Sequence, residues 1–125
     1  MSDARRTYYE EDAILTDYVL GHHSHLCDET QGEVLRAIGL ERKAALIQKD
    51  DEALASEFRR KRVRITSPQV ALALEAGVEA SCRTVRDQLL GEHGGEIVVD
   101  RCPRCHRVVR TPEARQCFWC GHDWH

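Results

Sequence analysis

The sequence predicts an α+β protein, in which a small all-α helical domain over residues 1–92 precedes a C-terminal β-hairpin over residues 96–125. Apolar residues recur at helical spacing from about residue 10 to residue 90. Glycine then interrupts the chain in the segment GEHGGE. After it, EIVVDR and HRVVR show the alternation that is typical of short strands. Four of the six cysteines lie in this last part of the chain, which marks it as a separate unit.

Local signals predict where the helices begin and end. The first helix starts near Glu10 and has one broad apolar face. A short second helix is expected from near Thr30 to Ile38, with Gly39 as its terminator. The following stretch is also helical, and Asp51 lies in its apolar stripe. Either the stripe is exposed there or, as we expect, the helix breaks at Lys49–Asp51 and an aspartate caps a further helix.

The last predicted helix has the clearest start signal. Ser67 is its expected N-cap residue, and Pro68 occupies the first helical position. Apolar residues then follow at three- and four-residue steps as far as Leu89, and Gly91 is expected to end the helix. The sequence therefore predicts one continuous helix over this segment.

The cysteines of the C-terminal segment have the spacing C-x2-C-x11-C-x2-C. A gap of two residues lets both sulfurs of a pair point toward one centre. Eleven residues suffice for a strand, a turn at TPEA and a returning strand. All four sulfurs can then bind one tetrahedral ion at about 2.3 Å. The predicted metal ligands are Cys102, Cys105, Cys117 and Cys120.

The two cysteine pairs resemble the knuckles of the zinc-ribbon class. The segment CPRC keeps the knuckle proline at Pro103, and CFWCG keeps the glycine after the last ligand at Gly121. His106 stands where glycine is usual in the first knuckle. The resemblance covers residues 96–125 and implies a zinc-ribbon β-hairpin with one closed, structural zinc ion per chain.

Other uses of the four cysteines are weighed against zinc. Four sulfurs in a tetrahedron also suit iron, but the short gap and the lack of a larger β core favour zinc. A redox role for CFWC needs a βαβ context that the sequence does not predict. A segment of about thirty residues buries too little apolar surface to fold alone, so we expect the metal to supply the missing free energy.

The segment GHHSHLC is the candidate for a second metal site. His22 and His25 share one face of the first helix, whereas His23 and Cys27 lie on a different side. A catalytic zinc takes three ligands from the protein, and no third ligand can be identified from the sequence. The alternative is that these histidines are hydrogen-bonded in the core or lie at the surface.

Charge and hydropathy bear on location and partners. No apolar run is long enough for a signal peptide or a membrane span, so we expect a cytoplasmic protein without a membrane partner. Residues 1–58 carry six Lys or Arg and thirteen Asp or Glu, whereas residues 59–125 carry twelve and eight. The basic second half is compatible with a nucleic-acid contact, which the acidic first half opposes.

Nucleic acid and protein are alternative predicted partners. The basic run RRKRVR and the arginines near the cysteines could contact phosphate, and neighbouring aromatic rings could stack on bases. The alternative for RRKRVR is a solvated helix end. The predicted contact residues are Arg59, Arg60, Lys61, Arg62, Arg64, Arg104, Arg107, Phe118, Trp119 and Trp124.

The sequence as a whole predicts a zinc-binding, non-enzymatic interaction or regulatory protein. It contains no nucleophile–base set, phosphate-binding loop or paired-acid motif. The alternative function is a metal-dependent enzyme that uses a second metal at His22 and His25.

Overall fold

A computed structural model of the chain describes residues 9–124. These residues form the α-helices α1 (Glu11–His23), α2 (Glu29–Ile47), α3 (Glu52–Val63), α4 (Pro68–Ala76) and α5 (Val78–Glu92). A 3-10 turn, Ser24–Leu26, follows α1. None of the helices in the described part of the chain is both long enough and apolar enough to cross a membrane.

The chain divides into two compact units. Within the described residues, the cysteine unit comprises residues 9–26 and 89–124, and the helical unit comprises residues 27–88. The first helix, α1, therefore belongs to the same compact unit as the four clustered cysteines. The sequence predicts a boundary between a helical domain, residues 1–92, and a zinc ribbon, residues 96–125. Whether these two segments fold independently stays a prediction.

The helical unit is built around α2, which packs on α3 and on α4. Three alanines of α2 and α3, Ala37, Ala44 and Ala55, have no exposed surface. Side chains this small allow the backbones of packed helices to approach closely. The buried apolar residues of the unit are Val34, Ala37, Ile38, Ala44, Ala55, Val70, Ala73 and Val85.

Two predicted helix starts are confirmed. The Asp51 carboxylate accepts a hydrogen bond from the Leu54 amide at 2.9 Å and caps α3. The Ser67 hydroxyl accepts from the Val70 amide at 3.3 Å and caps α4, with Pro68 at the helix start. Both side chains satisfy amides that the first turn of a helix leaves unpaired.

Two predictions about glycine and helix ends are wrong. Gly39 does not terminate a helix, because α2 continues through it to Ile47. The last helix is not continuous, because Gly77 has a φ of 98° and separates α4 from α5. Glycine has no Cβ to oppose that conformation. The Ser81 hydroxyl donates to the Ala73 carbonyl at 2.8 Å, which satisfies an acceptor at the end of α4.

The predicted α+β class and the C-terminal β-hairpin are wrong. The structure is mainly helical, and its described residues contain no strand or sheet. The cysteine segment has two isolated antiparallel bridges, Arg101 with Val108 and Gln116 with Asp123. Each bridge joins the residue before one cysteine pair to a residue after the same pair. The backbone pairing is therefore within each knuckle and not between the two knuckles. Because the chain reverses directly after each pair, a longer ladder does not form.

The cysteine unit has its own core, to which α1 contributes Tyr18 and Val19. The buried residues of the unit are Thr16, Tyr18, Val19, Leu89, Ile97, Cys102, Val108, Val109 and Cys117. The predicted turn at TPEA is present, because the Ala114 amide donates to the Thr111 carbonyl at 3.2 Å. This turn connects two knuckles and not two strands.

Candidate metal centre

The sulfurs of four cysteines converge on one point. The Sγ atoms of Cys102, Cys105, Cys117 and Cys120 all lie within 4.8 Å of one another and could hold a metal ion. The Sγ atoms of Cys102 and Cys120 are 3.6 Å apart, as are those of Cys105 and Cys117. Sulfurs arranged tetrahedrally at about 2.3 Å from zinc are about 3.8 Å apart, so the cluster has the right dimensions. Residues 9–124 contain no second such group of three or more His, Cys, Asp or Glu side chains.

Backbone amides point at the first cysteine of each pair. The Cys102 sulfur accepts hydrogen bonds from the amides of residues 104 and 105, at 3.3 and 3.4 Å. The Cys117 sulfur accepts from the amides of residues 119 and 120, also at 3.3 and 3.4 Å. The two knuckles therefore repeat one geometry, in which amide dipoles stabilise negative charge on a buried sulfur.

The thiols of the cluster differ in acidity. Burial opposes ionisation of Cys102, but hydrogen bonds from the Cys105 and Arg104 amides outweigh it and lower the pKa of Cys102 to about 6. The His122 amide favours a thiolate at Cys120, yet desolvation and the neighbouring thiols raise the pKa of Cys120 to about 11. A thiolate therefore forms more readily at Cys102 than at Cys120, and the thiolate is the form that binds a metal.

The residue after each cysteine pair has a left-handed backbone. The φ angle is 65° at His106 and 80° at Gly121. The reversal lets the Cys102 amide donate to the carbonyl of residue 107 at 2.9 Å and the Cys117 amide donate to the carbonyl of residue 122 at 2.7 Å. Glycine adopts this conformation without penalty, whereas the Cβ of histidine opposes it. His106 thus has a left-handed backbone, which favours glycine, although the residue there is histidine.

Glycine at position 106 should stabilise the cysteine unit by up to about 1 kcal/mol, because His106→Gly removes the cost of a left-handed residue with a Cβ. Gly121→Ala should destabilise the unit by about 1 kcal/mol for the same reason. Guanidinium unfolding followed by fluorescence measures both changes, since the only tryptophans, Trp119 and Trp124, lie in this unit. A loss of stability in both variants would contradict the backbone explanation.

Tyr18 joins α1 to the chain just before the first knuckle. Its side chain is 2% exposed. The hydroxyl donates to the Val98 carbonyl at 3.1 Å and accepts from the Asp100 amide at 3.3 Å. Burial is the main reason that the pKa of Tyr18 is raised. The apolar periodicity of the first helix includes Tyr18, but no local pattern indicates partners 80 and 82 residues away.

Tyr9 and Glu11 form a second connection, which reaches the first knuckle itself. The Glu11 carboxylate accepts two hydrogen bonds from the Arg101 guanidinium, at 2.8 and 3.1 Å. Arg101, followed by the Tyr9 hydroxyl, lowers the pKa of Glu11 to about 2. The Tyr9 hydroxyl donates to Glu11 and accepts from the Val108 amide at 3.0 Å. These residues support the site, and the sequence analysis missed them.

Three aromatic rings and two arginines form a continuous group on the cysteine unit, which we call the Trp119 array. Trp119 is central, with the ring centroids of Tyr9 and Phe118 at 5.0 and 4.9 Å in edge-to-face contacts. The Arg107 guanidinium lies 5.3 Å from the Tyr9 centroid, and that of Arg110 lies 4.6 Å from the Phe118 centroid. The three rings are half-buried, whereas both arginines are exposed.

The other predicted contact residues of the cysteine unit lie outside this array. Arg104 is exposed, and its amide donates to the Cys102 sulfur. Trp124 is half-buried and stacks on His122, with the ring centroids 5.9 Å apart. A partner contact at these positions stays a prediction.

The basic run RRKRVR forms the end of α3 in the helical unit. Three of its arginines have partners within that unit: Arg59 with Gln48, Arg60 with Glu57, and Arg62 with Glu41. Lys61 and Arg64 are exposed. Basic side chains in the last turn also interact favourably with the negative end of the helix dipole. This supports the solvated helix end, and phosphate contact by the run stays a prediction.

The two histidines of the predicted second metal site are exposed. The Nε2 atom of His22 lies 3.2 Å from the Arg110 carbonyl oxygen. The ring of His25 lies near that of His23, with 6.0 Å between the centroids. Among the described residues, neither histidine belongs to a group of three metal-ligating side chains. The second metal site at His22 and His25 stays a prediction.

Comparison of the chain with protein-family models, with curated proteins and with solved structures returns no match. The class of the protein is therefore defined by its fold and site alone. It is a helical protein with a four-cysteine cluster that could hold a metal ion, consistent with a zinc-ribbon-like knuckle.

Proposed function

We propose that this chain is a zinc-binding, non-enzymatic interaction protein, in which one structural zinc ion organises the cysteine unit and that unit contacts a nucleic-acid or protein partner. The convergence of four sulfurs at tetrahedral spacing carries the proposal. Four protein ligands leave no coordination position for water or substrate, which supports a structural ion over a catalytic one. Iron also accepts four sulfurs, so the metal has to be measured.

The contacts of α1 and of Tyr9, which precedes it, link the metal centre to the exposed surface of the unit. Glu11 binds Arg101, next to the first ligand Cys102, and Tyr9 packs on Trp119, between the ligands of the second knuckle. In small zinc-binding units the binding free energy, about 10–16 kcal/mol, is also folding free energy. Zinc at this centre would therefore hold the exposed arginines of the unit in a defined arrangement.

The purified protein should contain one zinc ion per chain, because four cysteines complete a single tetrahedral site. Plasma mass spectrometry, together with the protein concentration, gives the stoichiometry and the identity of the metal. The double variant His22→Ala, His25→Ala is the control and should keep its full zinc content. Two zinc ions per chain, one of them lost in the control variant, would instead favour the metal-dependent enzyme. Bound iron would contradict the proposed cofactor.

A further inference from the structure

The Trp119 array holds two exposed guanidinium groups against aromatic rings. Arg107 lies over Tyr9, Arg110 lies over Phe118, and both rings pack on Trp119. A ring restrains a flat guanidinium, so less side-chain entropy is lost when the group binds a partner. The edge of a guanidinium donates paired hydrogen bonds to carboxylate or phosphate oxygens. The array is thus prepared for an anionic partner.

The same contacts oppose the base stacking that the aromatic residues suggested. Each arginine covers a face of its ring, and both rings also contact Trp119. The indole N–H of Trp119 donates to the Val108 carbonyl at 3.2 Å. Proteins that bind single-stranded nucleic acid rely on aromatic faces that are open to bases, and these rings are already used within the unit.

The charge of the cysteine unit also opposes a long polyanion. Its residues 9–26 include four Asp or Glu and no Lys or Arg. A zinc ion bound by four thiolates adds a formal charge of about −2. Duplex DNA carries a negative charge about every 1.7 Å along its axis. An extended duplex would therefore place more negative charge near these carboxylates and thiolates than a short acidic peptide would. A short acidic segment can contact the two arginines alone.

We propose that the Trp119 array is a docking surface for an acidic segment of a partner protein, whose carboxylates pair with the Arg107 and Arg110 guanidiniums. This inference rests on the proposed function, an interaction protein organised by zinc, and it names the partner class of the cysteine unit. Tyr9, Phe118 and Trp119 position the arginines.

Fluorescence anisotropy with the zinc-loaded full chain tests this proposal. The probe is a labelled peptide that alternates Glu with Leu, and its control is the same peptide with Gln in place of Glu. The test variant is Arg107→Gln, Arg110→Gln. The matched variant, Arg104→Gln, Arg115→Gln, removes the same charge from two exposed arginines outside the array. Unchanged zinc content and tryptophan emission show that each variant is folded.

The wild type should bind the Glu peptide and not the Gln peptide. The test variant should lose about tenfold or more in affinity, and the matched variant less than about twofold, because screened, exposed pairs contribute little singly unless their geometry is fixed. If the test variant does not fold, Arg107→Lys, Arg110→Lys keeps both charges. It should still lose several-fold in affinity, because an ammonium group cannot donate the paired, coplanar hydrogen bonds of a guanidinium.

Several results would overturn the proposal. Equal losses of affinity in the two Gln variants would mean that net charge alone attracts the peptide. Unimpaired binding by the Lys variant would show that the paired hydrogen bonds of the planar guanidinium are not needed. The proposal also fails if the wild type does not bind the Glu peptide, and binding of single- or double-stranded DNA in its place would make nucleic acid the partner. DNA binding is recognised by an affinity that falls with salt at a logarithmic slope of about −0.7 or −0.9 per neutralised phosphate. The zinc content is measured separately, so failure of the docking surface is distinguishable from failure of the proposed function.

Discussion

Replacing Cys102 or Cys117 with serine should abolish zinc binding and unfold the cysteine unit, including the packing of α1. Both sulfurs are buried, and each accepts two amide hydrogen bonds. Loss of one ligand removes most of a binding free energy of about 10–16 kcal/mol that also supports folding. The contacts that α1 makes through Tyr18 and Glu11 then lose their partners.

Zinc content, tryptophan fluorescence and far-ultraviolet circular dichroism together test this expectation. We expect no bound zinc, a red-shifted emission and a partial loss of helical signal, because α2, α3 and α4 lie in the helical unit. Cys82→Ser is the matched control, since Cys82 lies in the helical unit and is half-buried. It should keep both zinc and the emission spectrum. Zinc retained by the Cys102 variant would contradict the ligand set, and complete loss of helix would mean that the two units unfold together.

Tyr18→Ala should destabilise the cysteine unit by about 3–5 kcal/mol, the usual cost of truncating a large buried ring to alanine. The ring is 2% exposed, so its removal leaves a cavity between α1 and the rest of the unit. It also leaves the Val98 carbonyl and the Asp100 amide without the hydroxyl that each of them contacts. The combined loss is comparable with the whole stability of many small domains.

Guanidinium unfolding of zinc-loaded protein, followed by tryptophan emission, measures this loss. Tyr18→Phe separates the two contributions, because it keeps the ring and removes only the hydroxyl. We expect it to cost about 0.5–1.5 kcal/mol, the net contribution of a typical intramolecular hydrogen bond, because Val98 is exposed and Asp100 is half-buried. A cost below about 1 kcal/mol for Tyr18→Ala would show that α1 does not stabilise the cysteine unit, whereas equal costs for the two variants would assign the whole effect to the hydroxyl.

Local chemistry was sufficient to predict the two helix caps and the cysteine pairs, because the groups that determine them are close in sequence. The aspartate and serine caps at Asp51 and Ser67 act on amides three residues later, so the residue type and its position predict them. The four clustered cysteines were predicted in the same way. A two-residue gap places both sulfurs of a pair on one side of a tight turn, and the structure brings the two pairs together.

Glycine was a less reliable guide, because its effect depends on the packing around it. Gly39 lies inside α2, where the helix continues between buried residues on both sides, Ile38 and Ala44. Gly77 was expected inside a continuous helix, but it has a left-handed backbone and ends α4. A glycine permits a reversal of the chain without requiring it, so the sequence pattern alone could not separate the two cases.

The β-hairpin was mispredicted because alternating residues do not specify their pairing partner. EIVVDR and HRVVR have the pattern of strands, but the left-handed residues His106 and Gly121 turn the chain back within seven residues. The bridges that result lie inside each knuckle, and neither is long enough to become a strand. Backbone reversal directly after each cysteine pair therefore decided the fold of this segment.

The sequence by itself determined the chemistry of the candidate site: two cysteine pairs with the spacing of two knuckles, and arginines and aromatic residues among them. Only the tertiary structure decided that α1 belongs with those cysteines, and that Tyr9 completes an array with Trp119 and Phe118. Spacing between neighbouring ligands is a local property of the chain and can be read from residue order. The contacts of Tyr9 and Tyr18 join residues 80 to 99 positions apart, and they depend on complementary surfaces that form only when both segments have folded.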